Sequence, residues 1–231
     1  MNLENICLLI AGVINLFMSI FVISRGWRNK VNLYFTLLTF FNFLWASSLL
    51  VGRMTTLGMF WYYAGVLLAY PVALGIAISL YYFCISFPTQ IRRLSNLNHF
   101  LIVLPAVIMS IVVYIKGWFV LSYDKDIIHT EYTLYVNKLS YFIYSLYFIV
   151  LVILALKELY EKIKISESIF KYKVIILFVA ILIGLIFGTY FDLFLCYFAN
   201  YHYVWFGPLF TFFMNLTVFY FIYSSRDKIH G

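Results

Sequence analysis

Seven apolar runs, each about as long as a helix that crosses a lipid bilayer, take up most of this chain. They fall at about 5–24, 31–52, 59–87, 99–120, 137–156, 174–198 and 204–224. A helix rises about 1.5 Å per residue, so about 20 residues cross about 30 Å of hydrocarbon. Continuous apolarity over such lengths points to helices, because a membrane barrel alternates over segments of about 10 residues. Of the 231 residues, 65% are hydrophobic and 11% charged. A soluble domain carries about 45–50% apolar and about 25% charged residues. No single water-soluble core hides this much apolar surface, so lipid is the expected solvent. The expected fold is all-α: a seven-transmembrane-helix bundle, one domain over residues 1–231, multi-pass in the cell (plasma) membrane.

The basic residues set the expected orientation. Alternate breaks between runs hold Arg25, Arg28, Lys30, Arg92, Arg93, Lys157, Lys162, Lys164, Lys171, Lys173, Arg226 and Lys228. The other breaks hold only Arg53, Lys116, Lys125 and Lys138. Twelve against four places the N-terminus outside and the C-terminus in the cytosol by the positive-inside rule. This spread also removes nucleic acid as a partner, since the formal charge of +7 forms no face of a soluble domain. Met1-Asn2-Leu3-Glu4 lacks a basic n-region, so the first run is expected to stay in the membrane as a helix.

Between runs the chain is short of chemistry. The longest outer loop, Leu121 to Lys138, carries Asp124, Lys125, Asp126, His129 and Glu131 without the spacing of a known metal loop, and is read as solvated. The inner segment Lys157 to Lys173 reads as a polar helical extension with Glu158/Lys162 and Glu167/Lys171 as i,i+4 pairs. Tyr197, Tyr201, Tyr203 and Trp205 suit an interfacial aromatic belt. Cys7, Cys84 and Cys196 form no CxxC; Cys7 and Cys196 both fall near the outer face, which leaves a disulfide open.

Polar residues inside the runs are the candidate sites. Asn15, Asn42 and Asn215 fall near mid-depth of runs one, two and seven, which are neighbours in a closed ring. Either they share one interhelical contact, or each bonds separately to a backbone carbonyl or a hydroxyl. Asp192 is the one acidic residue within the run limits, a functional candidate by default, with His202 near enough in sequence to pair with it. Gly184 and Gly188 form a GxxxG that permits close helix approach. Pro71 and Pro208 are places where a helix would bend.

Several chemistries have no residues here. The last run has no lysine for a retinal Schiff base, and no second aspartate within the runs joins Asp192 for intramembrane proteolysis. HExxH, GxSxG and P-loop patterns are missing, so no enzyme activity, metal or cofactor is expected.

The pattern resembles the N-terminal seven-transmembrane sensor region of bacterial histidine kinases. The likeness is carried by Trp45 in Phe41-Asn42-Phe43-Leu44-Trp45-Ala46, by Trp61-Tyr62-Tyr63-Ala64-Gly65 leading to Pro71, and by Leu104-Pro105. It ends with Trp205-Phe206-Gly207-Pro208, Tyr220-Phe221-Ile222-Tyr223 and Arg226-Asp227-Lys228-Ile229. It implies a sensor that passes a signal through its last helix to a cytosolic histidine kinase or other output protein of a two-component system. Members of that family usually continue into a kinase, whereas this chain stops at Gly231. It is therefore expected to be an isolated sensor domain, a gene remnant or a stand-alone subunit. Membrane lipids and a second copy are the other expected partners. A small transporter or channel, or a structural membrane subunit, is the alternative reading.

Overall fold

The structure, a computed structural model, describes residues 2–53, 59–88, 94–125, 132–166 and 168–224. It is helical apart from one hairpin. The helices are α1 (Leu3–Ser24), α2 (Lys30–Arg53), α3 (Met59–Ser86), α4 (Asn96–Tyr114), α5 (Lys138–Ile165), α6 (Ser168–Gly188), α7 (Leu195–Tyr197) and α8 (Phe206–Ser224). A π-helical stretch, Thr189–Phe194, joins α6 to α7 without a break. Side-chain caps start three of these helices. Asn2 accepts from Asn5 N, Ser95 from Asn98 N, and Asn137 from Leu139 N and Ser140 N.

Among the described residues, six helical segments are long and apolar enough to cross a membrane: α1 to α5, and α6 with its continuation to Tyr197. The last helix carries a shorter apolar stretch, Phe206–Phe221. The exposed surface is what a bilayer requires. Phe17, Phe60, Phe100, Ile111, Phe142 and Phe213 all point away from the protein. A water-soluble monomer rarely leaves contiguous apolar surface on this scale, so the protein is membrane-embedded.

The helices pair around a ring. α1 packs on α2 and α8, α2 on α3, α3 on α5, α5 on α6, and α6 on α8. α4 lies outside the ring against α3, and only Ala106 and Val113 of its residues are buried. Lipid gives little drive for helices to associate, so close packing has to supply it. Glycine provides the closest approach. A Cβ on Gly65 would stand 2.7 Å from Ser48 O and 2.8 Å from Gly52 N, so α2 and α3 meet backbone to backbone there. One buried cluster runs through the ring around Leu38, Phe83, Leu151 and Ile181. A second, around Leu74, Phe119, Leu134, Tyr141 and Tyr144, fills one end.

The hairpin departs from the all-α expectation. β1 (Val120–Lys125) pairs antiparallel with β2 (Tyr132–Val136), with a bulge between Val120 and Ser122. Residues 121–125 and 132–136 of the expected solvated loop are thus strands; Asp126, His129 and Glu131 lie outside the described residues. Val120, Leu134 and Val136 are buried while Leu121 and Tyr135 are exposed, the alternation of a half-buried strand. The fourth helix stops at Tyr114, six residues short of its apolar run, because the chain turns through Gly117 at φ +81° to enter β1. The hairpin closes one end of the bundle, hereafter the hairpin end.

At the opposite end the inner lysine-rich segment differs from expectation. Glu158 and Lys162 form no ion pair within 4 Å, although their charges act on each other; both are buried. Lys162 Nζ instead donates to Cys84 O and Ile85 O at 2.7 Å and to Phe87 O at 2.6 Å. It thereby takes the orphan carbonyls where α3 ends. The surface i,i+4 pair is Lys157–Glu161, at 3.9 Å. Glu167 lies outside the described residues, as do Arg92, Arg93 and everything past Ser224.

Candidate functional site

The site is built on the π-helical turn. Leu195 N reaches back five residues to Tyr190 O, one more than an α-helix allows. The extra residue rotates Asp192 relative to the face that α6 would otherwise continue. The turn is held from α5: Tyr141 Oη lies 3.0 Å from Asp192 O and 3.3 Å from Leu193 O, so its one proton serves both. Tyr141 is itself buried against Phe119, Tyr144 and Tyr197. The hairpin end thus fixes the backbone that carries Asp192.

The Asp192 carboxylate fits a notch at the head of α8. A Cβ on Gly207 would stand 2.0 Å from Asp192 Oδ2 and 2.6 Å from Trp45 Cη2. The notch exists because residue 207 has no side chain. Both carboxylate oxygens are closed off from solvent and neither has a hydrogen-bond partner. Buried polar atoms are almost always bonded, so each exception asks for a reason.

A cavity opens beside this notch, bounded by α2, α3, α5, α6 and α8. A water-sized sphere can place its centre through about 160 Å³ of it. Small side chains make the room. Ala69, Ala73 and Ala77 repeat every four residues along α3 and so share one helix face. Gly184 and Gly188 line it from α6. Nothing stands within 4 Å of a Cβ built on Gly184, and the nearest atom for Gly188 is Asp192 Oδ2 at 3.8 Å. The GxxxG therefore brings no helix close; it widens the cavity. Most of the wall is apolar, with Val152, Ile181 and Met214 farther from the hairpin end. The polar groups gather near Asp192. Thr189 Oγ1 and Trp205 Nε1 are buried there without partners. Arg53 stands at the margin, its guanidinium paired with Glu4 and its Nε donating to Asn5 Oδ1 at 3.3 Å.

The other expected positions separate. Asn215 Nδ2 donates to Asn15 Oδ1 at 2.8 Å, and Asn15 Nδ2 to Ala11 O, also at 2.8 Å. Asn42 bonds back within its own helix, to Leu38 O at 2.9 Å. Two of the three amides share a contact and the third takes the separate arrangement. Trp45 is buried and lines the cavity beside Gly207. His202 gives no hydrogen bond to Asp192; it is exposed, edge-on to Tyr203 with ring centroids 4.8 Å apart. Pro71 lies inside α3 but lines a shallow groove toward α4, away from the cavity. Pro208 is in the first turn of α8, where a missing N–H costs nothing, so it starts the helix rather than bending it. Cys7, Cys84 and Cys196 are all free thiols. Tyr141, Thr189, Trp205 and Gly207 enter the site without having been singled out for it. Trp205 and Gly207 stood in the Trp-Phe-Gly-Pro string, and Trp205 in the aromatic belt, while nothing in the sequence marked Tyr141 or Thr189. No protein-family model matches the chain, and no curated protein matches it either.

Proposed function

We propose that this chain is the sensor module of a membrane signalling system, with seven spans, its N-terminus outside and its C-terminus in the cytosol. The observation that carries the reading is the cavity between five helices, with its unmatched polar groups at one end. Such a site, mostly apolar with a few convergent polar groups, is the usual form of a small-molecule site. α8 supports the layout. Its 19 residues span about 29 Å at 1.5 Å per residue, enough to cross with little tilt. It meets the cavity at Gly207, Thr211 and Met214, and continues in sequence toward Arg226-Asp227-Lys228. A ligand that displaces the head of α8 moves the same rigid element that leaves the membrane at the other end.

The test is a fusion of residues 1–231 to a kinase output domain, with ligands and lipids varied. Output that shifts with a compound, and loses that shift in Leu185→Trp, which fills the cavity, supports sensing. Output that never varies overturns it. An alkaline-phosphatase reporter after Gly231 tests the layout in the same cells; activity in the periplasm removes the cytosolic exit. Asp192 inside the bundle gives a small transporter as the second reading. Uptake by proteoliposomes that stops in Asp192→Asn would establish it.

A further inference from the structure

We propose that the cavity takes a small organic cation: an apolar body about the size of a benzene ring, carrying an ammonium that pairs with Asp192. The inference rests on the sensor reading and names the ligand class of the same cavity.

The size comes from the space. A dry cavity of about 150 Å³ holds benzene, and about 160 Å³ is open here. The apolar body is set by the wall, in which Ala73, Ala77, Val152, Ile181 and Met214 offer no hydrogen bond. The cation is set by the notch. Asp192 Oδ1 and Oδ2 are both buried and both unbonded. A carboxylate in that state lacks a donor, and an ammonium brings three. The protein's own cation at the margin is already committed, since Arg53 pairs with Glu4 and bonds Asn5. Thr189 Oγ1, also unbonded, supplies a second acceptor for the same ammonium. Trp45 and Trp205 set two indoles at this end of the cavity, and an aromatic face attracts a cation. Trp205 Nε1 is a donor, which a hydroxyl oxygen beside the amine would meet.

The notch is shaped for this task at the expense of side-chain freedom. Residue 207 has to be glycine for the carboxylate to fit, and Asp192 lines the cavity from the π-turn. A carboxylate needed only to meet lipid headgroups or water would not require that glycine.

The experiment uses the whole chain in lipid nanodiscs and three probes of one shape: benzylammonium, benzyl alcohol and benzoate. Binding is followed by calorimetry, and the saturable part is separated from partitioning with empty nanodiscs. Benzylammonium is expected to bind saturably, at least tenfold more tightly than benzyl alcohol, with no saturable binding of benzoate. Asp192→Asn is expected to weaken benzylammonium tenfold or more and to leave benzyl alcohol within twofold, which also reports that the cavity is intact. Benzyl alcohol binding as well as benzylammonium, or an Asp192→Asn protein that keeps its affinity for benzylammonium, overturns the inference. So does the lack of saturable benzylammonium binding. If benzylammonium fails while the kinase fusion answers another compound, the cation falls and the sensor reading stands.

Discussion

Lys162→Met is the perturbation whose cost follows most directly from the structure. Lys162 is almost wholly buried, at 1% exposure, and its ammonium donates three hydrogen bonds to carbonyls at the end of α3. Interhelical hydrogen bonds in membrane proteins contribute about 0.6 kcal/mol on average and about 1.7 at most. Three of them give roughly 2–5 kcal/mol, and the ammonium's charge at a helix C-terminus favours the upper half. Methionine keeps the unbranched stem out to the ε position, so packing along it survives while the three carbonyls lose their donor. Lys164→Met is the control. Lys164 is exposed, with Nζ over the Tyr160 ring at 4.4 Å, and a change there should stay within about 0.5 kcal/mol. The assay is reversible unfolding in bicelles titrated with dodecyl sulfate, followed by tryptophan fluorescence. Lys162→Arg should fall between the two, because a planar fork cannot aim donors at three converging oxygens as an ammonium does. If Lys162→Met unfolds within about 0.5 kcal/mol of Lys164→Met, the ammonium does not hold α5 to α3 and the reasoning fails.

Two further outcomes follow from contacts already described. Gly207→Ala and Gly65→Ala should each cost about 1–3 kcal/mol by overpacking, since the added Cβ would meet Asp192 Oδ2 at 2.0 Å or Ser48 O at 2.7 Å. Gly184→Ala, with nothing within 4 Å, should stay within about 0.5 kcal/mol in the same unfolding assay. A double-mutant cycle between Asn15→Leu and Asn215→Leu should show coupling of about 0.6–1.7 kcal/mol. The cycle between Asn42→Leu and Asn215→Leu should couple by less, because Asn42 Nδ2 is spent on Leu38 O. Equal coupling in both cycles would mean that the three amides act together.

The parts of this fold that could be read from the chain are those fixed by local composition. A run such as 5–24 has no alternative to a helix in lipid, and α1 spans Leu3–Ser24 as its run requires. Asn15, Asn42 and Asn215 could be grouped in advance because depth and neighbourhood follow from counting residues along helices that close a ring; which two of them touch could not. Other features depend on register or on what lies across a contact. Lys162 looked like a surface partner for Glu158 because four residues separate them; which face of α5 meets the end of α3 is not written in that spacing. Gly184 and Gly188 carried the pattern of a packing motif, yet the close approach is made by Gly52 and Gly65, which form none. The hairpin was hidden because two short strands carry little signal beside long apolar runs.

Asp192 shows why the remainder escapes such reading. Counting along the run that starts at about 174 puts it about 18 residues in, near the outer end, where solvent or His202 would satisfy it. The π-turn leaves that depth as counted but changes which way the side chain points, because the wider turn rotates the residues it holds around the axis. The carboxylate lies in the notch that Gly207 leaves open, without a hydrogen bond to His202. Any side chain at 207 would occupy the place of the carboxylate, so the Asp192–Gly207 contact joins the end of α6 to the head of α8. On the sensor reading proposed above, that contact is the joint through which an occupied cavity would move the last helix.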